Sequence, residues 1–131
     1  MTGRTPALVL AATLSICMAV LFAACSTTPG REPPPQVPGG NPARGSDLIQ
    51  LFGCGACHVI PGVRDAVGTV GPPLVDWSER GFIAGQLPNN AQNLIRWIMD
   101  PPEVEPGTAM PNLHVSEDQA RDIAAYLFAL K

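Results

Sequence analysis

The chain has 131 residues, 46% of them apolar, with 8 basic and 11 acidic side chains, so it holds one small domain at most plus whatever leads into it. A net charge of −3 excludes a phosphate-driven nucleic-acid binder, which would need a basic face. Four cysteines are too few for a disulfide-dense scaffold, while 15 Pro and 13 Gly point to long ordered loops or a linker.

The first charge is Arg4 and the next is Arg31. Between them the uncharged run ALVLAATLSICMAVLFAA, residues 7–24, reads as the apolar region of a secretory signal. At 18 residues it also reaches the lower edge of a membrane span. It ends in Phe22-Ala23-Ala24-Cys25, which resembles a bacterial lipoprotein signal, where small residues precede a cysteine that is lipidated and becomes the new N-terminus. Phe22 stands where such signals usually carry an aliphatic residue. An uncleaved single-span anchor and ordinary secretion are the alternatives to lipidation at Cys25, and all three deliver the rest of the chain across the membrane. Cys17, inside the run, reads as a small hydrophobe. Residues 26–42, STTPGREPPPQVPGGNP, show no helical or strand period and read as a tether, extended where Pro-rich and flexible where Gly-rich. The expected organisation is therefore a signal or anchor at 1–25, a linker at 26–42 and a domain at 43–131.

Three helices are expected in that domain. Asn41-Pro42 supplies an N-cap and a first helical residue for a helix bearing Leu48, Ile49, Leu51 and Phe52, stopped by Gly53. The second lies between Asn89 and Met99, with Asn89 and Gln92 as a capping pair and Ala91, Leu94, Ile95 and Ile98 at helical spacing. Pro101 ends it. In the third, Ser116 and Gln119 form a capping box ahead of Ala120, Ile123, Ala124, Leu127 and Phe128. No segment shows sustained alternation, so the fold class is all-α. Gly/Pro-rich stretches between Pro61 and Pro73 and between Pro101 and Pro111 are long for so small a domain, and loops of that length usually wrap around something.

The chemistry lies in Cys54-Gly55-Ala56-Cys57-His58, the C-x-x-C-H pattern of c-type haem attachment. Two thiols must sit on one short turn to add across the two vinyl groups of haem, and the adjacent histidine then offers a nitrogen to the iron. Three rivals compete. A zinc site from Cys54, Cys57, His58 and His114 has enough ligands, but adjacent Cys57 and His58 coordinate one ion awkwardly. A thioredoxin-like pair would need a βαβ context, and a plain disulfide between Cys54 and Cys57 is the third. On the haem reading, Met110 in Pro106-Gly107-Thr108-Ala109-Met110-Pro111 is the natural sixth ligand; its soft, neutral thioether favours ferrous iron. Met99 reads as core and His114 as surface.

With these residues in place, residues 41–131 resemble a class I cytochrome c: a small fold of three main helices with Gly/Pro-rich loops around one covalent haem c. The resemblance implies attachment at Cys54 and Cys57 and axial ligation by His58 and Met110. Gly71-Pro72-Pro73-Leu74 matches the family's G-P-x-L, where the Pro72 carbonyl would bond the other nitrogen of the ligating histidine. Arg80 falls at an arginine facing a haem propionate and Thr108 at a threonine bonding near the propionates. Trp97 falls at an aromatic beside the methionine, usually Tyr in the family. Trp77 reads as core or haem-edge packing rather than a redox relay. Residues 83–89 (IAGQLPN) with 93–98 (NLIRWI) are similar to the haem c domain fused to subunit II of some bacterial terminal oxidases.

The resemblance implies an electron carrier, not an enzyme, on the periplasmic face of the bacterial cytoplasmic membrane. A quinol-oxidising complex would be its donor and a terminal oxidase its acceptor. Mitochondrial members dock by a ring of lysines, whereas Lys131 is the one lysine here. From Cys25 onward there are 7 basic and 11 acidic side chains, so a basic or largely apolar partner surface is expected. The acidic group Asp100, Glu103 and Glu105 reads as a solvated loop. The alternative function is a c-type haem enzyme or gas-binding sensor with a weak or absent sixth ligand.

Overall fold

The structure is a computed structural model that describes residues 37–130. Cys25 and the signal segment, together with linker residues 26–36, lie outside the described residues. Among those described, no helix is long and apolar enough to cross a membrane.

The described chain is all-α apart from one small hairpin. Helix α1 spans Pro42–Leu51, with Pro42 in its first turn and the Asn41 side chain accepting from the Arg44 N–H at 3.1 Å. Two 3-10 turns follow, Cys54–Ala56 and Trp77–Glu79. Strands β1 (Phe82–Ile83) and β2 (Leu87–Pro88) pair antiparallel, with Ile83 opposite Leu87. Helix α2 is Ala91–Met99, α3 is the four-residue Pro101–Val104, and α4 is Glu117–Ala129.

Both α1 and α2 pack on α4. The apolar stripe of α4 (Ala120, Ile123, Ala124, Leu127, Phe128) is buried against Ile49 of α1 and Leu94 and Ile98 of α2, within one hydrophobic core. The α1–α4 approach depends on Gly45: a Cβ there would stand 2.1 Å from the Asp122 carbonyl oxygen. An ionic clasp closes the same crossing. Asp122, 5% exposed, accepts from the Asn41 N–H at 2.7 Å and from Arg44 Nε and Nη2 at 2.7 and 3.1 Å. The bond from Arg44 holds the Asp122 carboxyl below the usual carboxylate range, against the opposing effect of burial. Val37 is also buried, so packing on this side begins before the helix does.

The capping box of α4 forms as expected, with Ser116 Oγ accepting from the Gln119 N–H and Gln119 Oε1 from the Ser116 N–H. The cap of α2 differs. Asn90, not Asn89, accepts from the Asn93 N–H, at 2.9 Å. Asn89 instead turns inward and donates to the carbonyls of Trp77 and Arg80 at 2.9 and 3.0 Å. Two successive asparagines offered two caps, and the one whose amide could tie two loop carbonyls was drawn into the interior. Pro101 ends α2 as expected but also opens α3, which Asp100 caps. The acidic group is accordingly partnered: Glu103 pairs with Arg96 at 2.7 Å, and Glu105 accepts from Gln86 Nε2 at 2.7 Å.

Candidate functional site

Gly53, at φ 69°, ends α1 in the left-handed region and turns the chain directly into the Cys54–Ala56 turn. The N–H groups of Cys57 and His58 both donate to the Cys54 carbonyl, at 3.2 and 3.1 Å. One carbonyl therefore gathers Cys54, Cys57 and His58 onto a single turn. Both cysteines are free and half-buried, and burial pushes the Cys54 thiol pKa upward, keeping it protonated. The four-ligand zinc alternative finds no support here, because no group of three or more His, Cys, Asp or Glu among the described residues is placed to hold a metal ion. The thioredoxin-like alternative lacks its setting as well, since the described strands form one two-stranded antiparallel hairpin.

His58 is fixed from two directions. Its Nδ1 lies 2.7 Å from the Pro72 carbonyl oxygen, and because a carbonyl can only accept, the proton sits on Nδ1 and leaves Nε2 with its lone pair. Gly71 packs against the ring so closely that a Cβ would meet His58 Cε1 at 2.2 Å. The loop carrying these residues is laced to the cysteine turn by bonds from the N–H groups of Gly68 to Gly55 O (3.0 Å), Gly71 to Cys57 O (2.8 Å) and Leu74 to Val59 O (2.8 Å). The pairing of Pro72 with His58, expected from the G-P-x-L match, is thus present in the geometry.

Further along, Arg80 donates through Nη2 to the carbonyls of Pro73 and Val75, and its guanidinium carbon stands 5.0 Å over the Trp77 ring. Trp77 is buried, and its indole nitrogen has no hydrogen-bond partner among the described residues; the same holds for Asn89 Oδ1. A buried unpaired donor costs about 1–3 kcal/mol, so natural sequences seldom leave one without a purpose. Neither Asn89 as a bridge nor the Trp77 N–H as a spare donor was foreseen. The Asn-Asn pair and an indole next to Arg80 were the faint signals.

On the other loop, α3 is followed by a turn in which the Thr108 N–H donates to the Glu105 carbonyl at 2.9 Å. Thr108 Oγ1 accepts from the Met110 N–H at 3.1 Å. Met110 and Thr108 are half-buried, and so is Trp97, which packs against the core. His114 is exposed, at φ 56°. The structure therefore assembles the predicted residues into three groups: Cys54, Cys57, His58 and Pro72; Arg80 with Trp77; and Thr108 with Met110.

This donor set fits haem c. Two thiols share one turn beside an imidazole tied through Nδ1 to the Pro72 carbonyl, and the buried Trp77 N–H has no partner among the described residues.

The cytochrome c family model matches residues 42–131. The chain is 36% identical over 89 residues to the cytochrome c oxidase subunit 2 of Alkalihalophilus pseudofirmus strain OF4, covering 67% of this chain and 25% of that protein. It is 37% identical over 93 residues to the subunit of the same name from Bacillus sp. strain PS3, covering 68% and 26%, and 27% identical over 92 residues to that of Bacillus subtilis strain 168, covering 67% and 26%. It thus spans about a quarter of the length of these relatives. No solved structure matches it. The chain belongs to the cytochrome c family, as a monohaem class I c-type cytochrome with covalently bound haem c, a haem protein of electron transfer.

Proposed function

We propose that the chain is a membrane-tethered carrier of single electrons in a respiratory chain, accepting them from a quinol-oxidising complex and passing them to a terminal oxidase. The observation that carries this reading is His58: a single tautomer, held by Pro72 and backed by Gly71, presents Nε2 alone for coordination. Cys54 and Cys57 would hold the haem covalently, and His58 and Met110 would supply the two side-chain ligands to its iron. Bound haem supplies a one-electron ferric–ferrous couple. The protein's part is to keep both ligands and the surrounding dipoles in place between the two states, so that little reorganises when an electron moves. Arg80 and Thr108 would bond near the propionates, and Trp97 would line the methionine side.

The organisation follows the sequence reading, a signal or anchor at 1–25, lipidated at Cys25, then a tether and the cytochrome domain on the periplasmic face of the cytoplasmic membrane, except that packing of the domain begins at Val37 and α1 at Pro42, inside the expected linker 26–42. Tethering raises the local concentration of the carrier, so weak docking suffices. Similarity to oxidase subunits, about a quarter of whose length is matched, supports an oxidase as the acceptor.

The test is the optical spectrum of protein matured in a bacterial periplasm, ferric and ferrous, with and without carbon monoxide. The expected result is a c-type ferrous spectrum, a ferric methionine–iron charge-transfer band and no immediate response to carbon monoxide. Immediate carbon monoxide binding would remove Met110 as a firm ligand and favour a haem enzyme or gas sensor. Release of the Cys25→Ser variant from the membrane fraction would establish the lipid anchor; retention would point to a single span.

A further inference from the structure

We infer that Gln86 and Glu105 are positioning residues for Met110: the hairpin is a fixed arm, and its tip latches the segment that carries the methionine. The bonds run unbroken from the arm to the backbone of Met110. Gln86 Nε2 donates to Glu105 Oε2 at 2.7 Å. Glu105 accepts at its other carboxylate oxygen from the Gly107 N–H (3.2 Å) and at its carbonyl from the Thr108 N–H (2.9 Å). Thr108 Oγ1 in turn accepts from the Met110 N–H (3.1 Å). The two bonds to the carboxylate are charge-assisted and so stronger than neutral ones.

The arm is anchored at its base. Ile83 of β1 is buried in the core, and β1 packs on α2. The Asn89 N–H donates to the Gly81 carbonyl (3.0 Å), its amide ties the Trp77 and Arg80 carbonyls, and Asn93 Nδ2 of α2 donates to the Pro88 carbonyl (2.9 Å). At the tip, Ala84 and Gly85 are both left-handed, at φ 50° and 70°, as tight hairpin turns require, and the Gln86 N–H closes the turn on the Ile83 carbonyl (3.0 Å). The segment it meets is gripped less well. Pro101 and Val115 are buried, but no residue from 102 to 114 is. The core therefore holds this stretch at its two ends, and hydrogen bonds place what lies between. The inference rests on the reading of Met110 as the sixth ligand.

The test uses the full-length, haem-loaded protein. Gln86→Glu sets two carboxylates against each other and opens the latch. Carbon monoxide should then bind the ferrous form about fivefold faster, the factor for one lost net hydrogen bond, while the guanidinium unfolding midpoint and the native ferric methionine–iron band stay as in the wild type. The exchanged pair Q86E/E105Q restores the wild-type net charge and reverses donor and acceptor. The new amide at position 105 can accept from the Gly107 N–H and donate to the new carboxylate at position 86, so the wild-type rate should return. An unchanged rate in Q86E, or a raised rate that the exchanged pair leaves raised, overturns the inference while the wild-type band upholds Met110 as ligand. Absence of the band from the wild type overturns the ligand reading and the inference with it.

Discussion

The loop that holds His58 and the loop that holds Met110 are built to different standards. Around His58, residues 55–74 are stitched by backbone bonds from Gly68, Gly71 and Leu74, a short bridge pairs Val59 with Val67, and Tyr126 of α4 donates to the Pro61 carbonyl at 2.6 Å. The Met110 segment relies on local turns: Thr108 to Glu105, Met110 to Thr108 and His114 to Asn112, joined among the described residues by a tie from Gln86 to Glu105. One side is tied by bonds that reach the cysteine turn and α4. The other is held mainly by bonds within its own turns. Low-stability segments are the first to open in a folded protein, so the proposed sixth ligand, not the fifth, should be the point of release.

The largest expected effect breaks the rigid side. Gly71→Ala drives a Cβ into the His58 ring at 2.2 Å, and the ring can move only by giving up Pro72. Losing such a supporting contact typically costs 10–100-fold in metal affinity. We expect the yield of correctly ligated haem protein, read from the ferric spectrum, to fall by about that factor. A normal spectrum would show that the loop is less rigid than its bonds suggest. Of comparable size is Gly45→Ala, remote from the site. The added Cβ meets the Asp122 carbonyl and must separate α1 from α4, costing about 3 kcal/mol by the overpacking scale. Guanidinium unfolding of the holoprotein would read this as a lower midpoint, with ligation intact before the transition.

Much of this contrast was legible in the sequence and part was not. The caps at Asn41 and Ser116, the stop at Gly53 and the apolar stripe of α4 are local, and each appears where its residues demand. Cys54, Cys57, His58 and Pro72 were also readable, because attachment chemistry forces a fixed spacing and the Pro72 carbonyl follows from the G-P-x-L match. What escaped depends on tertiary approach. Gly45 looks like a poor helix residue until α4 lies against it, Asp122 like a solvated charge until Arg44 and Asn41 reach it, and Asn89 like a cap until Trp77 and Arg80 present their carbonyls. None of these leaves a periodic or spacing signal.

The Asp122 clasp gives the third prediction, and its sign is fixed by the direction of the shift. Arg44 holds the folded-state carboxyl below its ordinary value, so its contribution is fully present above the unfolded pKa, about 3.9. It is lost as pH falls through the depressed folded value. Unfolding midpoints of the wild type should be nearly flat above about pH 5 and drop below about pH 4. Asp122→Asn should start about 2 kcal/mol lower at neutral pH, the scale of a hydrogen bond to a charged group, and should show a shallower acid limb. Identical acid limbs would remove Asp122 from the cause.

The smallest effect sharpens the comparison most, because it reads the compliant loop directly. If Met110 is held mainly by its own turn, the ferric methionine–iron band should vanish at guanidinium concentrations where helical circular dichroism is still unchanged. Thr108→Val removes the hydroxyl that accepts from the Met110 N–H at 3.1 Å. A net hydrogen bond of about 1 kcal/mol makes opening about fivefold more frequent, so the band should disappear at lower denaturant while the global midpoint stays put. The same variant should bind carbon monoxide faster in the ferrous state by about that factor, since the ligand enters only when the methionine is away. The His58 side makes no such prediction: its ties reach α4 and the cysteine turn, and loosening them should lower band and helix signal together. Joint loss of both signals in T108V would mean that the Met110 loop is part of the cooperative core, and the contrast between the two sides would collapse.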